Sequence, residues 1–154
     1  MVVSRRPTEA LILADGDTVV AHVTVRGPPV SQPRPRARML PRNRVVVFNP
    51  AAREKNSFQR GMREALTDLG VMTFPLFPEG ARLHLKATFV VSNLRKDVDN
   101  MLKFVLDVLE GVLYRNDATV FSIQAQKASP ADVGVTFEYT KIEVENLVPF
   151  LDEI

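Results

Sequence analysis

Three aspartates and a lysine gather around one stretch of helical periodicity. Asp97 and Asp99 lie in Lys96-Asp97-Val98-Asp99-Asn100, Lys103 follows four residues after Asp99, and Asp117 comes after the periodicity ends. On chain still extended as it leaves a strand, side chains two apart point to one face, so Asp97 and Asp99 could together hold a hard cation. Lys103 projects from the same side of the helix as Asp99, one turn along, where its ammonium could sit beside a scissile phosphate. Asp117 stands at the entrance to the next strand and is able to return to the first pair. Mg²⁺ is commonly held by one or two protein carboxylates, with water and phosphate oxygens completing an octahedron. Three aspartates are therefore enough for one or two ions, and neither histidine nor cysteine is required.

A plainer reading stands beside this one. Asp99 and Asn100 are ordinary helix-capping residue types, and Lys103 could simply bridge Asp99 and Asp107 on a solvated helix face. An Asp-x-Asp pair alone does not separate the two readings. His84 and His22 read as surface strand residues rather than ligands. Asp107 reads as orienting Lys103 or a backbone group, and Lys127 as pairing with an acid at the edge of the site or standing exposed on its strand.

The elements that would position these residues follow from periodicity. Met101, Leu102, Val105, Val108, Leu109 and Val112 recur at spacings of three and four, which predicts a helix ending near Gly111. Residues 82–89 alternate strictly and predict a strand leading straight into the aspartates. Residues 18–26 read as a strand and residues 44–48 as its possible hairpin partner. Residues 51–70 read as an amphipathic helix with Phe58, Met62, Ala65, Leu66 and Leu69 inward. Strands near 119–127 and 134–143 complete the pattern, with Val133-Gly134 fitting a last hairpin and Phe137 and Tyr139 packing in a core or interface. Together these predict a single α+β domain, a mixed β-sheet with two main helices packed on it. Residues 1–17 read as an N-terminal extension, loose or a local addition, and residues 18–154 as the domain proper.

Composition narrows the classes. A chain of 154 residues can bury roughly two thirds of its unfolded surface and needs no staple. With no cysteine, disulfides, thiolate zinc sites and thiol nucleophiles are excluded. No apolar run approaches the roughly 20 residues of a membrane helix, and Ala10-Leu11-Ile12-Leu13-Ala14 is too short and poorly flanked for a signal peptide. An intracellular setting is expected, cytoplasmic or nucleoid-associated if the source is prokaryotic or phage.

The net charge of +2 hides an uneven distribution. Between Arg34 and Arg60 there are eight basic residues (Arg34, Arg36, Arg38, Arg42, Arg44, Arg53, Lys55, Arg60) against the single acid Glu54, a local balance of +7. Prolines at 28, 29, 33, 35 and 41 make the start of this segment an extended arm or loop. A basic arm beside an acidic metal site is the pairing a nuclease needs, the arginines holding backbone phosphates while carboxylates hold the ion. The candidate DNA contacts are Arg34, Arg36, Arg38, Arg42 and Arg44.

The run from Lys96 to Tyr114, continuing through Asn116-Asp117-Ala118-Thr119-Val120 to Lys127, resembles the RusA family of Holliday junction resolvases. The shared pattern is D-x-D-N, a lysine, a helix with a second aspartate, a G-V-x-Y-like turn, an acidic pair before a strand and a downstream lysine. Gly27-Pro28-Pro29 with Arg34-Pro35-Arg36 looks like the family's opening G-x-P and R-x-R, and the resemblance covers roughly residues 20 to 142. Two positions depart from it: Asn116 replaces the first of two acids, and Gln32 stands where a lysine is frequent.

The resemblance implies a crossover junction endodeoxyribonuclease with catalytic residues Asp97, Asp99, Lys103 and Asp117. The three aspartates would be ligands for Mg²⁺, or Mn²⁺ in its place. It further implies a homodimer, with no membrane partner, that resolves four-way DNA junctions by paired symmetric nicks during recombination and repair. Asn116 keeps open a non-catalytic branched-DNA-binding relative. A structural domain whose aspartates only cap a helix remains the third reading.

Overall fold

The computed structural model describes residues 6–32, 36–48 and 51–146. Seven strands and two helices run in the order β1 (Thr8–Asp15), β2 (Thr18–Arg26), β3 (Arg36–Leu40), β4 (Arg44–Phe48), α1 (Ala52–Asp68), β5 (Leu83–Val90), α2 (Val98–Leu109), β6 (Val120–Ala128) and β7 (Tyr139–Asn146). Five strands form one sheet in the order β1-β2-β7-β5-β6, while β3 and β4 form a separate two-stranded ribbon. Within the main sheet β5 and β6 are parallel and every other neighbouring pair is antiparallel. The fold is a single α+β domain with a mixed sheet and two helices.

Both helices cover one face of this sheet. The strand positions that point at them are mostly apolar: Ala21, Val23 and Val25 in β2, Leu83, Leu85, Ala87 and Phe89 in β5, and Ile142 and Val144 in β7 are all buried, as is the polar Thr140 of β7. The intervening residues His22, Thr24, His84, Lys86, Thr88, Glu143 and Glu145 remain half-buried on the uncovered face, the alternation expected of a sheet with one solvated side. Phe58, Met62 and Leu66 recur every four residues on α1 and are buried, as are Met101, Phe104, Val105, Val108 and Leu109 on α2. Phe58 and Phe104 meet edge to face at 5.1 Å between ring centres and lock the two helices together. At Gly61 a β-carbon would lie 2.5 Å from Thr8 Oγ1 and 2.7 Å from Arg6 O, so the missing side chain lets α1 settle directly on β1.

Several elements depart from the sequence expectations. Thr8–Asp15, within the segment read as an extension, is an edge strand of the main sheet. Residues 44–48 do form a strand, but they pair with β3 rather than with residues 18–26, whose neighbours are β1 and β7. Leu69 is exposed just beyond the end of α1, and Ala65 is only partly buried. The last two strands are not a hairpin, because β7 lies between β2 and β5 while β6 pairs with β5 on the far side. The turn at Val133-Gly134 closes a short 3₁₀ segment instead, with Gly134 in the left-handed region at φ 75°. Among the described residues no helix is long and apolar enough to cross a membrane.

Candidate active site

The parallel pair β5 and β6 needs a crossover, and α2 supplies it. The chain leaves the carboxyl end of β5, passes through residues 91–97, runs back along the sheet as α2 and re-enters at the amino end of β6. The carboxyl ends of β2, β5 and β6 and the amino end of β7 therefore meet at one end of the sheet, where Val90 is in register with both Ala128 and Tyr139, and Arg26 with Tyr139.

Asp97 and Asp99 sit at this end. Asp97 is the N-cap of α2, with extended backbone (φ −78°, ψ 131°), and its carboxylate makes no capping hydrogen bond. It is exposed and forms no ion pair among the described residues. Asp99 is already within the first helical turn, so the two aspartates are not related by the strand alternation expected of them. They are two residues apart across the helix start. Lys103 Nζ lies 3.7 Å from Asp99 Oδ2, with side-chain exposures of 63% and 69%. An i,i+4 pair this exposed contributes only about 0.3–0.5 kcal/mol, too little to be the reason for either charge.

Backbone bonds tie the surroundings of these residues together. Lys96 Nζ donates to Pro29 O at 2.7 Å, and Gln32 N donates to Asn100 O at 3.0 Å, so the root of the basic arm is bonded to the residues flanking the aspartates. Lys127, in place of an acidic partner, donates from Nζ to Leu94 O and to Lys96 O. Glu138 accepts from Ser92 N at 2.7 Å through Oε1.

Asp117 lies elsewhere. It opens the 3₁₀ turn Asp117–Thr119 just before β6, and its backbone N–H points to Glu110 Oε1 at 3.4 Å, beyond the carboxyl end of α2. The twelve residues of α2 separate it from Asp97 by roughly 18 Å at 1.5 Å per residue. The expectation that Asp117 returns to the first pair within one chain is thus corrected by the crossover. In agreement, no three acidic or histidine side chains converge on a common ligand position among the described residues. Asn116 accepts a hydrogen bond from Ala118 N at 2.8 Å through Oδ1 and caps this turn, a task either an amide or a carboxylate performs.

The same end of α2 carries a concentration of negative charge that sequence reading did not single out. Tyr114 is buried there and donates its hydroxyl to Leu106 O at 2.7 Å. Burial first, then the charges of Asp117, Glu110 and Asp107, hold its ionisation far above the usual tyrosine range. Asp107 pairs with Lys55 at 3.2 Å, not with Lys103. Gln59 satisfies carbonyls of the last turn by donating to Val108 O and Glu110 O. Acids at a helix carboxyl end oppose the macrodipole, so the fold keeps Asp117 and Glu110 there against local electrostatic preference.

The arginine segment forms the β3–β4 ribbon. Its connection uses left-handed backbone at Arg42 (φ 65°) and Asn43 (φ 57°), and Arg42 and Arg44 are exposed. The ribbon's register is Arg36↔Phe48, Arg38↔Val46 and Leu40↔Arg44. Arg34 lies outside the described residues. His84 accepts or donates a 2.9 Å hydrogen bond with Ser122 Oγ, and His22 lies 3.5 Å from Glu143, both away from the aspartates.

The pair Asp97 and Asp99 suits a hard divalent cation: two exposed oxygen donors at a helix start, one of them without a partner. Two carboxylates fall within what Mg²⁺ takes from protein. No match is found among curated proteins. The model of the endodeoxyribonuclease RusA family, however, matches residues 26–139, a span that begins at the last residue of β2, contains the whole arm and the crossover, and ends at the first residue of β7. The chain belongs to the RusA endodeoxyribonuclease family.

Proposed function

We infer that this protein is a divalent-metal-dependent endonuclease that nicks four-way DNA junctions symmetrically, and that it acts as a homodimer. The observation that carries the reading is the uncommitted N-cap carboxylate of Asp97, two residues before Asp99 of the exposed Asp99–Lys103 pair. A helix start built only for stability would use that carboxylate to bond its own first turn.

Asp97 and Asp99 would hold Mg²⁺, with Mn²⁺ as an alternative, and Lys103 would place its ammonium against the scissile phosphate. The bound ion would neutralise phosphate charge and lower the pKa of an attacking water. Lys103 would add a fixed positive charge where negative charge develops on the phosphoryl oxygens. Arg34, Arg36, Arg38, Arg42 and Arg44 would hold the phosphates of one junction arm, positioning the strand without reading its bases.

Asp117 enters this site from a second copy. It is about one helix length from Asp97 in its own chain, and a two-fold dimer presents each subunit's crossover in both directions. The partner's Asp117 would then complete the carboxylate set of Asp97 and Asp99, and the two composite sites would face the two opposed strands of the junction.

The deciding experiment is cleavage of a mobile synthetic four-way junction in Mg²⁺, with linear duplex and Asp99→Asn protein as controls. Paired symmetric nicks that disappear in Asp99→Asn are expected. Tight junction binding without cutting in either Mg²⁺ or Mn²⁺ would overturn the catalytic reading in favour of a binding-only relative.

A further inference from the structure

We propose that Lys127 is a positioning residue for the Asp97–Asp99 pair, acting through the loop that precedes it; the idea deepens the metal-site reading above and rests on it. Residues 91–96 connect β5 to the N-cap of α2 and have few bonds of their own. Lys96 N donates to Asn93 O at 3.2 Å and Arg95 N donates to Asn93 Oδ1 at 3.1 Å. The loop is instead pinned from outside. Val91 N donates to Ala128 O at 2.9 Å, Ser92 N donates to Glu138, and the Lys127 ammonium donates both to Leu94 O and, at 3.0 Å, to Lys96 O, the carbonyl joined directly to the nitrogen of Asp97.

The placement of Lys127 is informative. It is an exposed residue on the edge strand β6, in register with Phe89 near the carboxyl end of β5. An exposed lysine ordinarily keeps its ammonium in water, because fixing a long side chain costs rotamer entropy. Here two backbone carbonyls share one cation, a charge-assisted arrangement that holds their oxygens at a set separation. Lys127 makes no ion pair among the described residues, so its charge serves that loop. Lys96, whose own side chain reaches Pro29 O, is thereby held at both its backbone and its side chain. The carbonyl clamp fixes the direction in which the chain delivers Asp97 to the helix start, the geometry on which two-carboxylate binding of an ion depends.

The test compares wild type, Lys127→Met and Lys127→Arg by five readouts: Mn²⁺ binding followed by electron paramagnetic resonance, amide hydrogen exchange of residues 92–98, metal-free junction affinity, junction cleavage and melting temperature. The expected result for Lys127→Met is Mn²⁺ binding weakened by about tenfold, the scale on which groups supporting a metal ligand act. Exchange in residues 92–98 should be faster, with metal-free junction affinity and melting temperature unchanged. Lys127→Arg, which retains a cation with several donors, should recover most of both losses. Unchanged exchange in residues 92–98 overturns the proposal, as does a loss of metal-free junction affinity equal to the loss of cleavage, which would make Lys127 a phosphate contact. If wild type binds Mn²⁺ but cuts no junction, the nuclease reading fails while the comparison of metal affinities still decides the role of Lys127.

Discussion

A carboxylate at a helix N-cap normally accepts from the exposed N–H groups of the first turn, and replacing it by alanine costs about 1 kcal/mol. Asp97 makes no such bond, so Asp97→Asn and Asp99→Asn are expected to alter stability by less than about 1 kcal/mol. Cleavage should nonetheless fall at least a hundredfold, since even residues that only support a metal ligand act on that scale. Junction affinity without metal should hold or rise, because each change removes negative charge near phosphate. Urea denaturation, junction cleavage and metal-free binding together check this; an equal loss of binding and cutting would count against it. Tyr114 provides a contrasting residue, structural rather than catalytic. Its buried hydroxyl bonds Leu106 O, so Tyr114→Phe should destabilise by about 1–2 kcal/mol. Because the folded state raises its ionisation above the ordinary value, its contribution is full below the unfolded pKa of about 10. It is lost as pH rises beyond that point, where the unfolded chain releases the proton first. Urea melts at pH 7 and 10.5 should therefore show wild type losing its advantage over Tyr114→Phe at the higher pH.

At the scale of elements, what could be read from sequence followed the clarity of each period. β5 alternates without interruption as far as Phe89, and α2 repeats its apolar residues every three and four, because each has one face buried under a continuous layer. β1 gave no such signal, since Leu11 and Leu13, each 51% exposed, are apolar on the side away from the helices and blur the alternation. The partner of β4 was not legible either: strand-forming residues say that a segment pairs, and the turn at Pro41–Asn43, with left-handed backbone at an arginine, decides with what. The resulting ribbon belongs to none of the five strands of the main sheet, which suits an arm that meets a ligand. Arg42→Ala and Arg44→Ala should each weaken junction binding across sequences alike and reduce the slope of log affinity against log salt by up to about 0.9 for each duplex phosphate the arm no longer neutralises. Affinities measured between 50 and 200 mM salt, on the order of the range where such phosphate pairing dominates, test this; a changed sequence preference with an unchanged slope would assign these arginines to bases instead.

At the scale of the whole molecule, the location of Asp117 was obscured for one reason. Reading the last two strands as a hairpin left the direction of β6 open, whereas a parallel β5–α2–β6 crossover requires the residues before β6 to lie at the opposite end of the sheet from those after β5. Asp97 and Asp117 therefore stand about one helix length apart in one chain, and on the dimeric reading proposed above a second chain supplies the other half of the set. This geometry makes a prediction that a single-chain site does not. When Asp99→Asn and Asp117→Asn proteins, each inactive alone, are mixed and allowed to exchange subunits, a mixed dimer has one site carrying both lesions and one site carrying neither. The intact site joins Asp97 and Asp99 of the Asp117→Asn subunit to the partner's Asp117. Mixing should restore nicking of one junction strand per mixed dimer. With equal amounts and random exchange, about half of the dimers are mixed and about a quarter of all sites are intact, which sets the ceiling on the recovered nicking rate relative to wild type. If each chain formed its own site, every site in the mixture would carry a lesion, and no proportion of the two proteins would restore cutting.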